Sequence, residues 1–213
     1  MSASSPGPQS HSSAPPISHR TRGAAGWVLP ATLVAIILAL QATGEPAFLG
    51  LRYERAAVMD GQVWRLLTAH LVHLDWAHAL LNAAALLLCC YILPKLRAPG
   101  ALAMLLLPAA LAVSGGLLLL DPDIAWYVGL SGVLHGVLAG GALAERGWLR
   151  WALLAILGLK LAYEQGVGPE PVAEALVGGR VILEAHVYGT AGGVVGALVQ
   201  SVIRSRHCRT RSR

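Results

Sequence analysis

Gly129-Leu130-Ser131-Gly132 places a hydroxyl at the start of one long apolar run, and His186 sits inside another far downstream. Polar and ionisable groups in hydrocarbon are costly and usually functional. A hydroxyl that meets an imidazole is a nucleophile with its general base, the chemistry of acyl transfer. Each motif also has a plainer reading. Ser131 could cap a helix between packing glycines, and His186 could be a water-bonded histidine in a packing seam. The two together favour the chemical reading, because both runs carry small residues at four-residue spacing: Gly132, Gly136 and Gly140 on one, Ala185, Gly189, Gly193 and Ala197 on the other. Such stripes let two helices approach closely, as an Oγ–imidazole hydrogen bond of about 2.6–3.2 Å requires.

Gly129 and Gly132 flank the serine, so the backbone there can turn tightly. Ser131 falls near a helix N-terminus, where free N–H groups and the helix dipole favour negative charge. His78 and Asn82 are four apart, on one helical face. With the Ser131 N–H they could form an oxyanion hole. His135 lies one turn beyond Ser131, where it could stack on His186 or satisfy a backbone carbonyl. His70 and His73 invite a metal reading, but no carboxylate motif accompanies them, so capping and interface roles are expected. Asp75 reads as a helix cap. Neither Asp75 nor Glu184 is assigned as a third member beside Ser131 and His186.

The elements that position these groups follow from hydropathy. The 213 residues are 55% hydrophobic and 13% charged, with mean hydropathy +0.60; soluble domains carry about 25% charged residues. Residues 1–23, rich in Ser and Pro, read as a disordered leader. Six apolar segments follow at 24–43, 76–93, 101–120, 128–145, 148–164 and 181–203, each near the ~20 residues that cross a bilayer. The first could be a signal peptide, but an uncleaved span gives the better topology. Pro30 and Pro108 are expected to kink their helices. With the N-terminus in the cytoplasm, Arg20, Arg22, Lys95, Arg97, Arg146, Arg150 and the basic tail 204–213 fall inside. Arg52, Arg55, Arg65 and Arg180 fall outside, and Lys160 is left within the fifth segment. That obeys the positive-inside rule.

The net charge of +5 is thereby assigned to lipid headgroups and topology, not nucleic acid, since no aromatics interleave the basic residues for stacking. Three cysteines are too few for a disulfide framework. Residues 44–75 carry too many apolar side chains for an ordinary loop. They suggest short amphipathic helices at the outer interface, anchored by Trp64 and Arg65.

Trp64-Arg65, the His73…His78…Asn82 run, Gly129-Leu130-Ser131-Gly132 and Ala185-His186-x-x-Gly189, taken in order, resemble the rhomboid intramembrane serine proteases over residues 24–203. The resemblance implies an all-α, polytopic bundle of six transmembrane helices (24–203), with a leader (1–23) and tail (204–213) in the cytoplasm. It implies a Ser131–His186 dyad, oxyanion support from His78 and Asn82, supporting roles for His135 and Gly129, and neither cofactor nor metal. Gly129 to Gly136 is closer to the bacterial rhombosortase branch. That branch implies an inner-membrane enzyme whose partners are the bilayer and exported proteins with a Gly-Gly motif, a transmembrane helix and a basic tail. His135 departs from common rhomboids, where a tyrosine stacks on the catalytic histidine. The alternative is a non-catalytic rhomboid-like protein that binds client transmembrane helices.

Overall fold

The structure is a computed structural model that describes residues 24–211. The expected leader at 1–23 lies outside the described residues. Among the described residues, six long helices make up the body: α1 (Val28–Thr43), α2 (Trp76–Ile92), α3 (Ala103–Leu119), α4 (Ser131–Ala144), α5 (Trp148–Val167) and α6 (Leu183–Arg211). Of the basic tail, Arg204 to Arg211 continue α6 without a break.

Local chemistry sets the helix ends. Gly44, with φ +69°, closes α1 and turns the chain by 116° into a short helix, Glu45–Leu51. Asp75 caps α2, its Oδ1 accepting from the His78 N–H at 2.7 Å, as its sequence position predicts. Gly147 (φ +70°) and Gly168 (φ +107°) bound α5. Pro30 falls in the first turn of α1, where a missing N–H breaks no helical bond. Pro108 lies inside α3.

The small-residue stripes determine the packing. A Cβ on Gly132 would stand 2.7 Å from the Ala185 carbonyl oxygen, and one on Gly140 2.6 Å from that of Gly193. α4 and α6 therefore touch backbone to backbone. A second stripe on α6 faces α3, where a Cβ on Gly192 would meet the Pro108 carbonyl oxygen at 2.5 Å. α6 is thus held between α3 and α4. Leu105, Ala109, Val113, Val133 and Val137 fill the core around this seam. α5 lies outside it, burying little more than Leu157 and Glu164, seven residues apart on one face.

Residues 44–75 fold into short helices, as expected, but Arg65 is no lipid anchor. Its side chain is buried, donating to the carbonyls of Leu49 (2.9 Å) and Arg52 (2.8 Å) and to Gln62 Oε1 (2.8 Å). A guanidinium has five donors and suits several oxygens at once, so Arg65 gathers the segment around itself. Trp64 remains exposed. The segment is tied to the helices by a two-residue antiparallel pairing, Tyr53 with Tyr127 and Glu54 with Trp126. Arg55 adds a bond to the Leu118 carbonyl at the end of α3.

The six expected spans are not all met by length and composition. Among the described residues, one helix is long and apolar enough to cross a membrane, or up to three if each bent pair is one span. α4 has 14 residues, about 21 Å at 1.5 Å per residue, against ~30 Å of hydrocarbon. α5 is long enough, but Arg150, Lys160 and Glu164 lower its hydropathy.

Candidate active site

Ser131 is the first residue of α4, delivered there by the strand Trp126–Tyr127 and a turn at Gly129. Gly129 is required at this point. Its φ is +109°, and an added Cβ would stand 2.8 Å from the His78 ring. The turn is fastened from several sides. The Gly129 N–H donates to the Ala69 carbonyl at 3.0 Å, and the Tyr127 hydroxyl donates to the Gly129 carbonyl at 3.0 Å. Beneath it, His70 Nδ1 lies 3.4 Å from the same carbonyl, with Nε2 3.1 Å from Ser114 Oγ.

His70 and His73 are therefore buried under the site, not at an interface. Burial holds the His70 imidazole well below its ordinary range, at about 4, and His73 at about 3. Both are neutral at pH 7. The three-residue spacing that suggested capping or a metal instead puts His70 against the Ser131 turn and His73 edge-on to His78, centroids 4.8 Å apart.

Ser131 does not cap its helix through its side chain. Its Oγ lies 3.3 Å from Nε2 of His186, across the glycine seam that joins α4 to α6. His186 is almost fully enclosed. His135 Nδ1 meets the Ser131 carbonyl at 2.8 Å, and its ring stacks on His186, centroids 4.0 Å apart and planes 13° from parallel. Both roles foreseen for His135 are thus filled. The other ring nitrogen of His186, Nδ1, lies 2.9 Å from Glu164 Oε2 on α5. Lys160, one turn earlier, bonds the second oxygen of that carboxylate. Neither Asp75, which caps α2, nor Glu184 is this partner.

A cavity of about 760 Å³ opens onto these groups, lined by His78, Asn82, Ser131, His135, Glu164 and His186. The Asn82 amide currently donates to the His78 carbonyl at 3.0 Å. His135, Glu164 and His186 are also the group of three possible metal ligands among the described residues, their atoms within 4.8 Å of one another. An imidazole nitrogen binds a metal in the plane of its ring at about 2.0–2.1 Å. Two rings stacked in near-parallel planes do not converge on one ion, so the arrangement suits proton transfer better.

The family model described as Rhomboid domain matches residues 60–202, two thirds of the chain. The protein belongs to the rhomboid family. Rhomboids are membrane proteins and serine intramembrane proteases. The match takes in every residue of the cavity just described. Comparison with curated proteins finds no match. Sequence reasoning about this rhomboid missed Glu164. The available signal was Lys160 and Glu164 four apart in an apolar run, the spacing of a helical ion pair.

Proposed function

We propose that this rhomboid is a serine endopeptidase in which Ser131 is the nucleophile and His186 its general base. The observation that carries the reading is the 3.3 Å approach of Ser131 Oγ to His186 Nε2 at the wall of a cavity. Catalytic hydrogen bonds are often long in ligand-free sites and tighten when substrate binds.

A substrate helix unwinds at the cavity, and Ser131 Oγ attacks the scissile carbonyl carbon while its proton passes to Nε2. The Ser131 N–H, at the start of α4, and the side chains of Asn82 and His78 hold the oxyanion. The Nε2 proton then goes to the leaving amine, and water hydrolyses the acyl-enzyme. Within the membrane the chain adopts six passes with both termini cytoplasmic, in agreement with its basic-residue distribution. The short α4 is accommodated by local thinning or water access.

The resemblance of Gly129 to Gly136 to the bacterial rhombosortase branch supports one substrate class: exported proteins carrying a Gly-Gly motif, a transmembrane helix and a basic tail, cut in the inner membrane. The test is cleavage of such a tail by enzyme in proteoliposomes. Wild type cleaves, and Ser131→Ala and His186→Ala do not while remaining folded. Cleavage by Ser131→Ala contradicts the nucleophile. A folded wild type that binds the tail and never cuts it, with no fluorophosphonate reaction at Ser131, makes the protein a non-catalytic binder of client helices.

A further inference from the structure

We infer that Glu164 is a positioning residue that makes Ser131 and His186 part of a Ser–His–Glu triad. The inference rests on the dyad reading above and extends it to a residue on a third helix.

The argument starts from hydrogen-bond inventory. An ionised carboxylate only accepts. Glu164 Oε2 lies 2.9 Å from His186 Nδ1, so Nδ1 carries the proton and Nε2 presents its lone pair. Nε2 is the atom facing Ser131 Oγ. The carboxylate thus selects the tautomer that can act as base, and it opposes the positive charge that the ring acquires when it takes the serine proton. No proton moves to Glu164: the Oγ–H proton goes to Nε2, and Nδ1 keeps its own.

Placement supports a purpose beyond packing. Glu164 is the only acid in 148–167 and occupies one of the two buried positions of α5, on a helix otherwise mostly exposed. A buried carboxylate needs compensation. Lys160 supplies it, bonding Oε1 and leaving Oε2 for the histidine. His135 clamps the ring from its face, so orientation is fixed by stacking on one axis and by the carboxylate on the other. α5 has few other buried contacts. The carboxylate bond is therefore a link by which its position reaches the base.

The groups facing His186 are Ser131 and His135 on α4, Glu164 and Lys160 on α5, and His78 on α2 across the cavity; Glu184 precedes it on its own helix. Among them Glu164 is the anion in direct contact with the ring. Removing its charge leaves unopposed the positive charge that the ring acquires when it takes the serine proton, and so slows the chemical step.

The test uses full-length enzyme in proteoliposomes. Glu164→Gln is expected to lower kcat by about 10²- to 10⁴-fold with KM little changed. Glu164→Asp should recover part of kcat. A wild-type kcat in Glu164→Gln overturns the role of Glu164 while leaving the dyad intact. Cleavage by Ser131→Ala overturns the dyad instead. A measurement on unsubstituted enzyme decides the matter even where Glu164→Gln does not fold. In ¹⁵N-histidine-labelled protein, the neutral His186 ring should carry its proton at Nδ1 and be bare at Nε2, and the opposite tautomer overturns the proposal.

Discussion

The His135 ring lies flat on that of His186, 4.0 Å between centroids, at the position where common rhomboids are expected to carry a tyrosine. An imidazole thus supplies the stacking surface, and its Nδ1 also meets the Ser131 carbonyl at 2.8 Å. Aromatic pairs contribute about 0.5–1.5 kcal/mol beyond area burial. His135→Ala should lower kcat by about 2- to 10-fold with little change in KM, and His135→Tyr should restore most of it. Steady-state kinetics on a transmembrane substrate checks both. Equal loss in the tyrosine variant would mean that the Nδ1 contact, not the stack, carries the effect.

The Gly129 turn aims Ser131, so its failure should appear in activity before stability. Gly129→Ala forces a side chain into a φ of +109° and against the His78 ring, at about 1–2 kcal/mol for the backbone alone. We expect kcat to fall by at least about tenfold while the melting temperature drops only a few degrees. Paired kinetics and thermal unfolding in detergent test this.

The glycines of the α4–α6 seam and those of the outer helices should respond oppositely. Gly140→Val must push Gly193 and Leu105 away, and overpacking costs about 1–3 kcal/mol or more. Gly158 on α5 has nothing within 4 Å of a Cβ, so Gly158→Ala should be neutral or stabilising by up to about 1 kcal/mol. The unfolding midpoint should fall in Gly140→Val and hold or rise in Gly158→Ala.

Arg65 holds the outer segment through carbonyls of Leu49 and Arg52. Arg65→Ala leaves these without their donor, a loss of at least about 2 kcal/mol. Arg65→Lys should recover little, since an ammonium cannot reproduce the planar fork. Limited proteolysis within 44–63 should accelerate in both variants.

The sequence carried the serine, the histidine, the glycine stripes and the Asp75 cap, because each is a local pattern whose meaning its near neighbours narrow. It was silent where meaning depends on distant partners. Tyr53 pairs with Tyr127 through two residues of strand, too short to leave a period. Arg65 reads as an interfacial cation until the carbonyls around it are located. Glu164 ended an apolar segment drawn from hydropathy, which averages over the single buried charge that matters. Hydropathy put α2 at 76–93 and α3 at 101–120, close to Trp76–Ile92 and Ala103–Leu119, but began α4 at 128, where the Gly129 turn delays it to Ser131.

Reactivity of Ser131 towards a fluorophosphonate tests the central claim most directly, since it reads the nucleophile without needing the natural substrate. Mass spectrometry of labelled, folded protein should find the adduct on Ser131 in wild type, and labelling should be lost in His186→Ala. An adduct confined to another serine, or undiminished labelling of Ser131 after His186 is removed, would contradict the account.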